Sequence, residues 1–257
     1  MEKIKLPPEL LPYAQVLEKT KKPSLKIRGK NRKTMPLDSK FGGNPYWLKE
    51  DEYPTDGKGA PLRFLAQINF GEIKESIPDF PTEGILQFFV ADDDLYGLNF
   101  EDYLKQDTFR VIYHETIETD SSKWMIEFPV FKGSDFPIGK ECALTFEVSE
   151  EMVSVNDFRF SKLTGLNTVL DDENIMEKFF DLVSGQGSKI GGYPFFTQGD
   201  PRDIGDYSTY DTLLLQIDSD YELDIMWGDV GVANFFIARE DLKKRDFSKV
   251  LYYWDCY

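Results

Sequence analysis

Histidine occurs once and cysteine twice in the 257 residues of this chain, and each scarcity removes a class of chemistry. His114, Cys142 and Cys256 cannot supply the four close ligands of a structural zinc site without help from carboxylates. A nucleophile activated by imidazole would have to use His114, and no Gly-x-Ser-x-Gly surrounds any serine. His114 reads more plainly as a half-buried strand residue. No Walker-type phosphate loop is present; GQGSKIGG (185–192) approaches a glycine-rich loop but follows a helical pattern, and its last pair of glycines is out of step. A helix stop followed by a turn accounts for it. No run of 18 apolar residues exists, so nothing reads as a membrane span. The first residues, MEKIKLPPELLPYAQ, carry prolines and charges where a leader peptide needs an apolar stretch. Two cysteines fit a reducing compartment. The expectation is a cytoplasmic protein with no metal and no cofactor.

What the chain has is acid. The net charge is -16, with 46 Asp and Glu against 30 Lys and Arg. Residues 1–35 hold ten Lys or Arg and three Glu, which is +7, so the remaining 222 residues carry -23. An acidic body of that kind lacks the cations that neutralise phosphates, so no nucleic-acid partner is expected. It is compatible with a basic protein or peptide partner, and also with solubility alone. A hydrophobic share of 41%, with 15% aromatic, excludes disorder for the bulk of the chain.

One short sequence is written twice. SKFGGNPYW (39–47) returns as SKIGGYPFF (188–196), 149 positions later, with five of nine residues identical. At the same offset LAQIN (65–69) falls on LLQID (214–218), and after a shift of two GILQFFVADDDL (84–95) falls on GVANFFIAREDL (231–242). VLYYW (250–254) matches RVIYH (110–114) in place and character. These matches read as a tandem duplication. They divide the chain into an N-terminal helix and basic segment (1–35), a first repeat (36–116), inserted strands and a helix (117–185) and a second repeat (186–257). The expected fold is α+β and β-rich: two diverged repeats of mostly antiparallel strands with short helices, packed together.

The elements read as follows. A helix is expected over 8–20, with prolines in its first turn, then a short strand over 24–28. Strands are expected over 63–70, 84–91, 109–116, 124–131, 142–148, 212–218, 222–229, 231–238 and 250–254. NFEDYLKQ (99–106) could form a helical turn or two, and a short helix is expected near 240–245. The segment 171–184 is the strongest helix, capped by Asp171 or Asp172 and stopped by Gly185.

Several positions could carry function. Gln67 and Gln216 interrupt apolar strands at equivalent places; each must find hydrogen bonds, either to a neighbouring loop or to a ligand in a groove. Tyr46, Trp47, Phe195 and Phe196 follow the proline turns and serve either as core or as an exposed binding surface. DSDYELDIMWGD (218–229) spaces its acids like a calcium loop, but Leu223 stands where the sharp turn needs glycine and the alternation is that of a strand. Asp92, Asp93 and Asp94 end a strand in what reads as a solvated turn. A carboxylate-dependent hydrolase or other small-molecule enzyme could draw on Asp203, Asp206, Asp211 and Asp218, provided two of them converge.

With GGYPFFTQGDPR (191–202), LLLQID (213–218) and GDVGVANFFI (228–237) in this order, the sequence resembles the YwqG-like family of bacterial proteins of uncharacterised function. That family is similar, over its strand core, to the eukaryotic group of programmed cell death protein 2, which assists a ribosomal protein before assembly. The resemblance implies a chaperone-like or otherwise protein-binding role and supplies no catalytic residues. The leading expectation is therefore a non-enzymatic protein- or peptide-binding module, chaperone-like or immunity-type, favouring basic partners. Its candidate binding residues are Tyr46, Trp47, Gln67, Phe195, Phe196, Gln216 and Asp218. The sequence sets no oligomeric state.

Overall fold

Strand alternation carries this chain into a single sheet. The structure, a computed structural model, describes residues 6–131, 135–167, 172–204 and 206–257. Its strands are β1 (Lys22–Lys30), β2 (Lys40–Phe41), β3 (Arg63–Asn69), β4 (Ile85–Val90), β5 (Phe109–His114), β6 (Cys142–Glu151), β7 (Lys189–Gly191), β8 (Thr212–Asp218), β9 (Val232–Ile237) and β10 (Val250–Asp255). They lie in the order β10-β9-β8-β7-β1-β6-β2-β3-β4-β5, every ladder antiparallel. Each repeat thus contributes four strands in the same succession, and the long β1–β6 pair joins them in the middle. Even the irregularities correspond: the β3–β4 ladder slips between Phe64 and Ala66, and the β8–β9 ladder between Leu213 and Leu215.

The sheet curls into a nearly closed, barrel-like form around one apolar core. Alternation puts Leu25 and Ile27 of β1, Ile190 of β7, Ile217 of β8 and Phe235 of β9 on the inner face, where they join Ile68, Phe88 and Val111 of the first repeat. Phe88 meets Phe235 with ring centroids 4.8 Å apart, and Phe109 meets Tyr252 at 5.2 Å. Burying each such ring contributes about 1.5–3 kcal/mol. The loop between β4 and β5 bridges the two edge strands. Tyr252 N donates to Tyr103 O at 3.0 Å, Val111 N to Gln106 Oε1 at 3.0 Å, and Gln106 Nε2 to Phe247 O at 2.8 Å.

On the outer face each repeat is covered by the segment that follows its glycine pair. Gly42, Gly43, Gly191 and Gly192 all have φ between 63° and 74°, the left-handed region that side chains resist. These turns throw the chain back across its own strands. Trp47 then packs on Phe64 and Phe89 in the first repeat, and Phe196 on Leu213 and Phe236 in the second.

Helices are short. The N-terminal one begins as a 3-10 turn over Pro8–Tyr13, where Pro12 removes a backbone donor, and only Ala14–Glu18 (α1) is α-helical. Two others are α2 (Phe160–Thr164) and α4 (Arg239–Lys244). The helix α3 (Glu173–Val183) is capped by Asp172, whose side chain accepts from the amides of Asn174 and Ile175; the alternative cap Asp171 lies outside the described residues. Gly185 follows it with φ 78°.

Four expected elements differ. Residues 124–131 are not a strand: Trp124 makes one isolated bridge to Leu48, Met125 N bonds Trp47 O, and Ile126 and Val130 are exposed. Residues 222–229 form a turn, because Asp220 accepts from the amides of Glu222 and Leu223 and Asp224 takes φ 59°. Residues 99–106 make turns, with Asn99 and Asp102 accepting from nearby amides and no helix. The strand expected over 24–28 is longer, running from 22 to 30, and lies in the middle of the sheet.

Candidate functional site

The shortness of β7 opens a cleft between β1 and β8, lined by residues of the outer face and, at Ile27, Phe41 and Leu223, of the core side. β1 and β8 both pair antiparallel with β7, so they run parallel to each other. Lys26 and Gln216 each stand opposite Lys189. Beyond Lys189, β7 gives way to the loop 186–188, while β1 continues to Lys30 and β8 to Asp218. Arg28 and Asp218 are therefore level with each other on opposite banks, two strand spacings or roughly 10 Å apart. The cleft has a volume of about 400 Å³ and is walled by Lys26, Arg28, Gly187, Asp218, Asp220 and Glu222, among others.

At its floor sits an ion pair. Lys189 Nζ donates to Glu151 Oε2 at 2.8 Å, and Glu151 also accepts from Tyr193 N at 3.1 Å and Ser24 Oγ at 3.0 Å. Burial pushes the Lys189 ammonium below its usual range, with Glu151 pulling the other way. On the β8 bank, Asp218 Oδ2 accepts from Gly187 N at 2.6 Å. Burial nevertheless raises the Asp218 carboxyl above the usual carboxylate range. The nearby hydroxyls are spent on the backbone: Ser188 Oγ accepts from Asp218 N, and Ser219 Oγ donates to Gly231 O. The cleft offers fixed charges to a ligand, and the Ser24 hydroxyl that donates to Glu151 is fully buried and does not line it.

The other candidate residues fall elsewhere. Gln67 and Gln216 are fully buried. Gln67 Oε1 accepts from Tyr46 N at 2.8 Å while its amide donates to Pro36 O and Asp38 O; Gln216 Oε1 accepts from Phe195 N at 2.8 Å and its amide donates to Gly185 O and Gly187 O. Each glutamine thereby staples the loop before its glycine pair, and the turn after that pair, to the sheet. Gln216 reaches the cleft only through Gly187, whose carbonyl it holds. Tyr46, Trp47, Phe195 and Phe196 are at most 4% exposed and cover the sheet, so they present no aromatic surface.

His114 lies among Tyr46 and Trp47, with Nε2 2.9 Å from Gln87 Oε1, and burial lowers its imidazole below the usual range. Because Gln87 pairs with Ile112 and Asn234 with Tyr253, the ladders set His114 level with Asp255. The sequence match of VLYYW to RVIYH is thus one residue out of step. Of the proposed catalytic acids, Asp211 and Asp218 flank opposite ends of β8, about 20 Å apart at the rise of a strand, and Asp203 and Asp206 are exposed near short 3-10 turns. Asp218 therefore stands apart from Asp211.

Sequence reasoning missed a buried charge cluster. Arg202, with a fully buried side chain, pairs with Asp200 at 2.6 Å and Asp157 at 3.2 Å and stacks 4.0 Å from the Phe236 ring. Arg159 clasps the same Asp157 at 2.7 Å. Its ligand capacity is filled internally, so it reads as a clamp joining the insert to the second repeat. A smaller cavity of about 240 Å³ beside Gly42 and Gly43 is lined by Tyr53, Phe128 and Phe136.

Residues 39–256 match a family model described as a domain of unknown function (DUF1963). No curated protein matches the chain.

Proposed function

The chain belongs to the family of the domain of unknown function DUF1963, which brings no activity with it, and on its own geometry we propose that it is a non-enzymatic module binding a basic protein or peptide segment at the cleft between β1 and β8. The observation that carries this reading is the β8 bank: Asp218, Asp220 and Glu222 line the cleft, and Asp218 is held partly desolvated without an ion pair of its own among the described residues. A cation seated there would restore the solvation that burial removed. The surrounding acidic body would speed the encounter with a basic partner. A carboxylate-dependent enzyme is the poorer reading, because Asp218, the acid that lines the cleft, stands about a strand's length from Asp211. The resemblance to the YwqG-like group and a chaperone-like or immunity-type role in the cytosol belong to the same proposal.

The test is fluorescence anisotropy with a labelled lysine-rich peptide and an acidic peptide of equal length. The basic peptide is expected to bind, to weaken as ionic strength rises, and to lose about tenfold in affinity with Asp218→Asn. Equal binding of the acidic peptide, or indifference to salt, would sink the proposal.

A further inference from the structure

The two banks of the cleft carry opposite charge, and this narrows the ligand further than the net charge of the body does. Lys26 and Arg28 lie on the same face of β1, two residues apart, and both line the cleft. Lys26 makes no ion pair among the described residues, and the nearest carboxylate to Arg28 is Glu147 at 3.9 Å, both side chains being largely exposed. Opposite them stands Asp218. Between the banks, Lys189 and Glu151 neutralise each other. The walls therefore present Lys26 and Arg28 facing Asp218 across about two strand spacings, with Asp220 and Glu222 on the turn that closes one end of the cleft, where Asn31 Nδ2 donates to Glu222 O at 2.8 Å.

An internal stretch of a basic chain would satisfy only the acidic bank and would press its positive charge towards Lys26 and Arg28. A free amino acid would bring a second cation, its α-ammonium, next to its carboxylate. A chain terminus does neither. Resting on the binding-module reading above, we propose that the cleft captures the C-terminal residue of a basic partner. The terminal carboxylate sits against Lys26 and Arg28, and the lysine or arginine side chain of the same residue spans to Asp218. Charge-assisted hydrogen bonds at both ends make the ligand's polarity along the cleft unique. The same arrangement rejects acidic tails, whose side chains would meet the β8 bank.

The experiment uses the full chain and two labelled peptides of one lysine-rich sequence ending in lysine, one with a free carboxylate and one amidated. The free form is expected to bind at least about tenfold more tightly, the worth of a charge-assisted hydrogen bond. Lys26→Gln should erase most of that difference by weakening the free-carboxylate peptide. Lys26 is exposed on a strand face, and an unchanged thermal unfolding profile of the variant verifies that the fold is intact. Equal affinity of the two peptides overturns the C-terminal assignment while leaving the basic-segment reading standing. Failure of both peptides to bind overturns both. Displacement of the peptide by free L-lysine at matching concentration overturns the chain-terminus form and makes the cleft a small-molecule site.

Discussion

Gln67 and Gln216 show how much one side chain can organise. Each occupies a position where an apolar residue would suit the strand, and each instead binds three backbone groups that would otherwise be buried without partners. Gln216→Leu should cost about 1–3 kcal/mol in denaturant unfolding, since it orphans Phe195 N and the carbonyls of Gly185 and Gly187. A neutral result would mean that these loops hold themselves. The role was legible because an amide inside LLLQID demands an explanation. What the two halves do differently was not legible. Gln87 reaches both Gln67 and Tyr46 O, whereas its counterpart Asn234 reaches only Phe195 O and leaves Oδ1 without a partner. The Asp157–Arg159–Asp200–Arg202 clamp was equally invisible, because its members come from separate loops that only the fold brings together.

At the scale of elements, β1 is the piece most easily misjudged. Its outer face is Ser24, Lys26, Arg28 and Lys30, so its sequence reads as a short basic segment. Its inner face, Leu25 and Ile27, is packed in the shared core. It pairs with β6 over nine residues and with β7 over three. The family match begins at residue 39, yet the strand that joins the two halves lies before it. A chain of residues 36–257 should therefore lose cooperative thermal unfolding and near-ultraviolet circular dichroism. A truncated chain that unfolds as sharply as the full one would show that β6 and β7 can close the gap alone. The opposite misreading concerns residues 124–131. Their apolar and aromatic residues promise a strand, but a strand also needs an edge to pair with, and here the backbone is tied to the loop at Trp47 and Leu48. Likewise the turn at 220–225 won over strand alternation because Asp220 caps it locally.

For the whole molecule, the duplication was readable at its glycine pairs and glutamines, where backbone geometry and buried polarity constrain residue type most. The placement of the cleft was not, because it follows from the length of β7, a strand of three residues. The acidic balance, read from composition, acquires one location only in the structure: Asp218, Asp220 and Glu222 line a cleft that Lys26 and Arg28 also line. No helix among the described residues is long and apolar enough to cross a membrane. The edge strands β5 and β10 are bridged by the loop carrying Tyr103 and Gln106, which leaves the cleft better placed than either edge to receive a partner.

Hydrogen exchange tests that claim most directly, since it reports where a ligand sits without presuming which side chains hold it. With the lysine-rich, lysine-terminated peptide bound, amides of residues 26–30, 186–189 and 218–223 should slow together, and those of the aromatic turns at 46–47 and 195–196 should not change. Protection confined to β5, β10 or the cavity beside Gly42, with the cleft segments unaffected, would contradict the account.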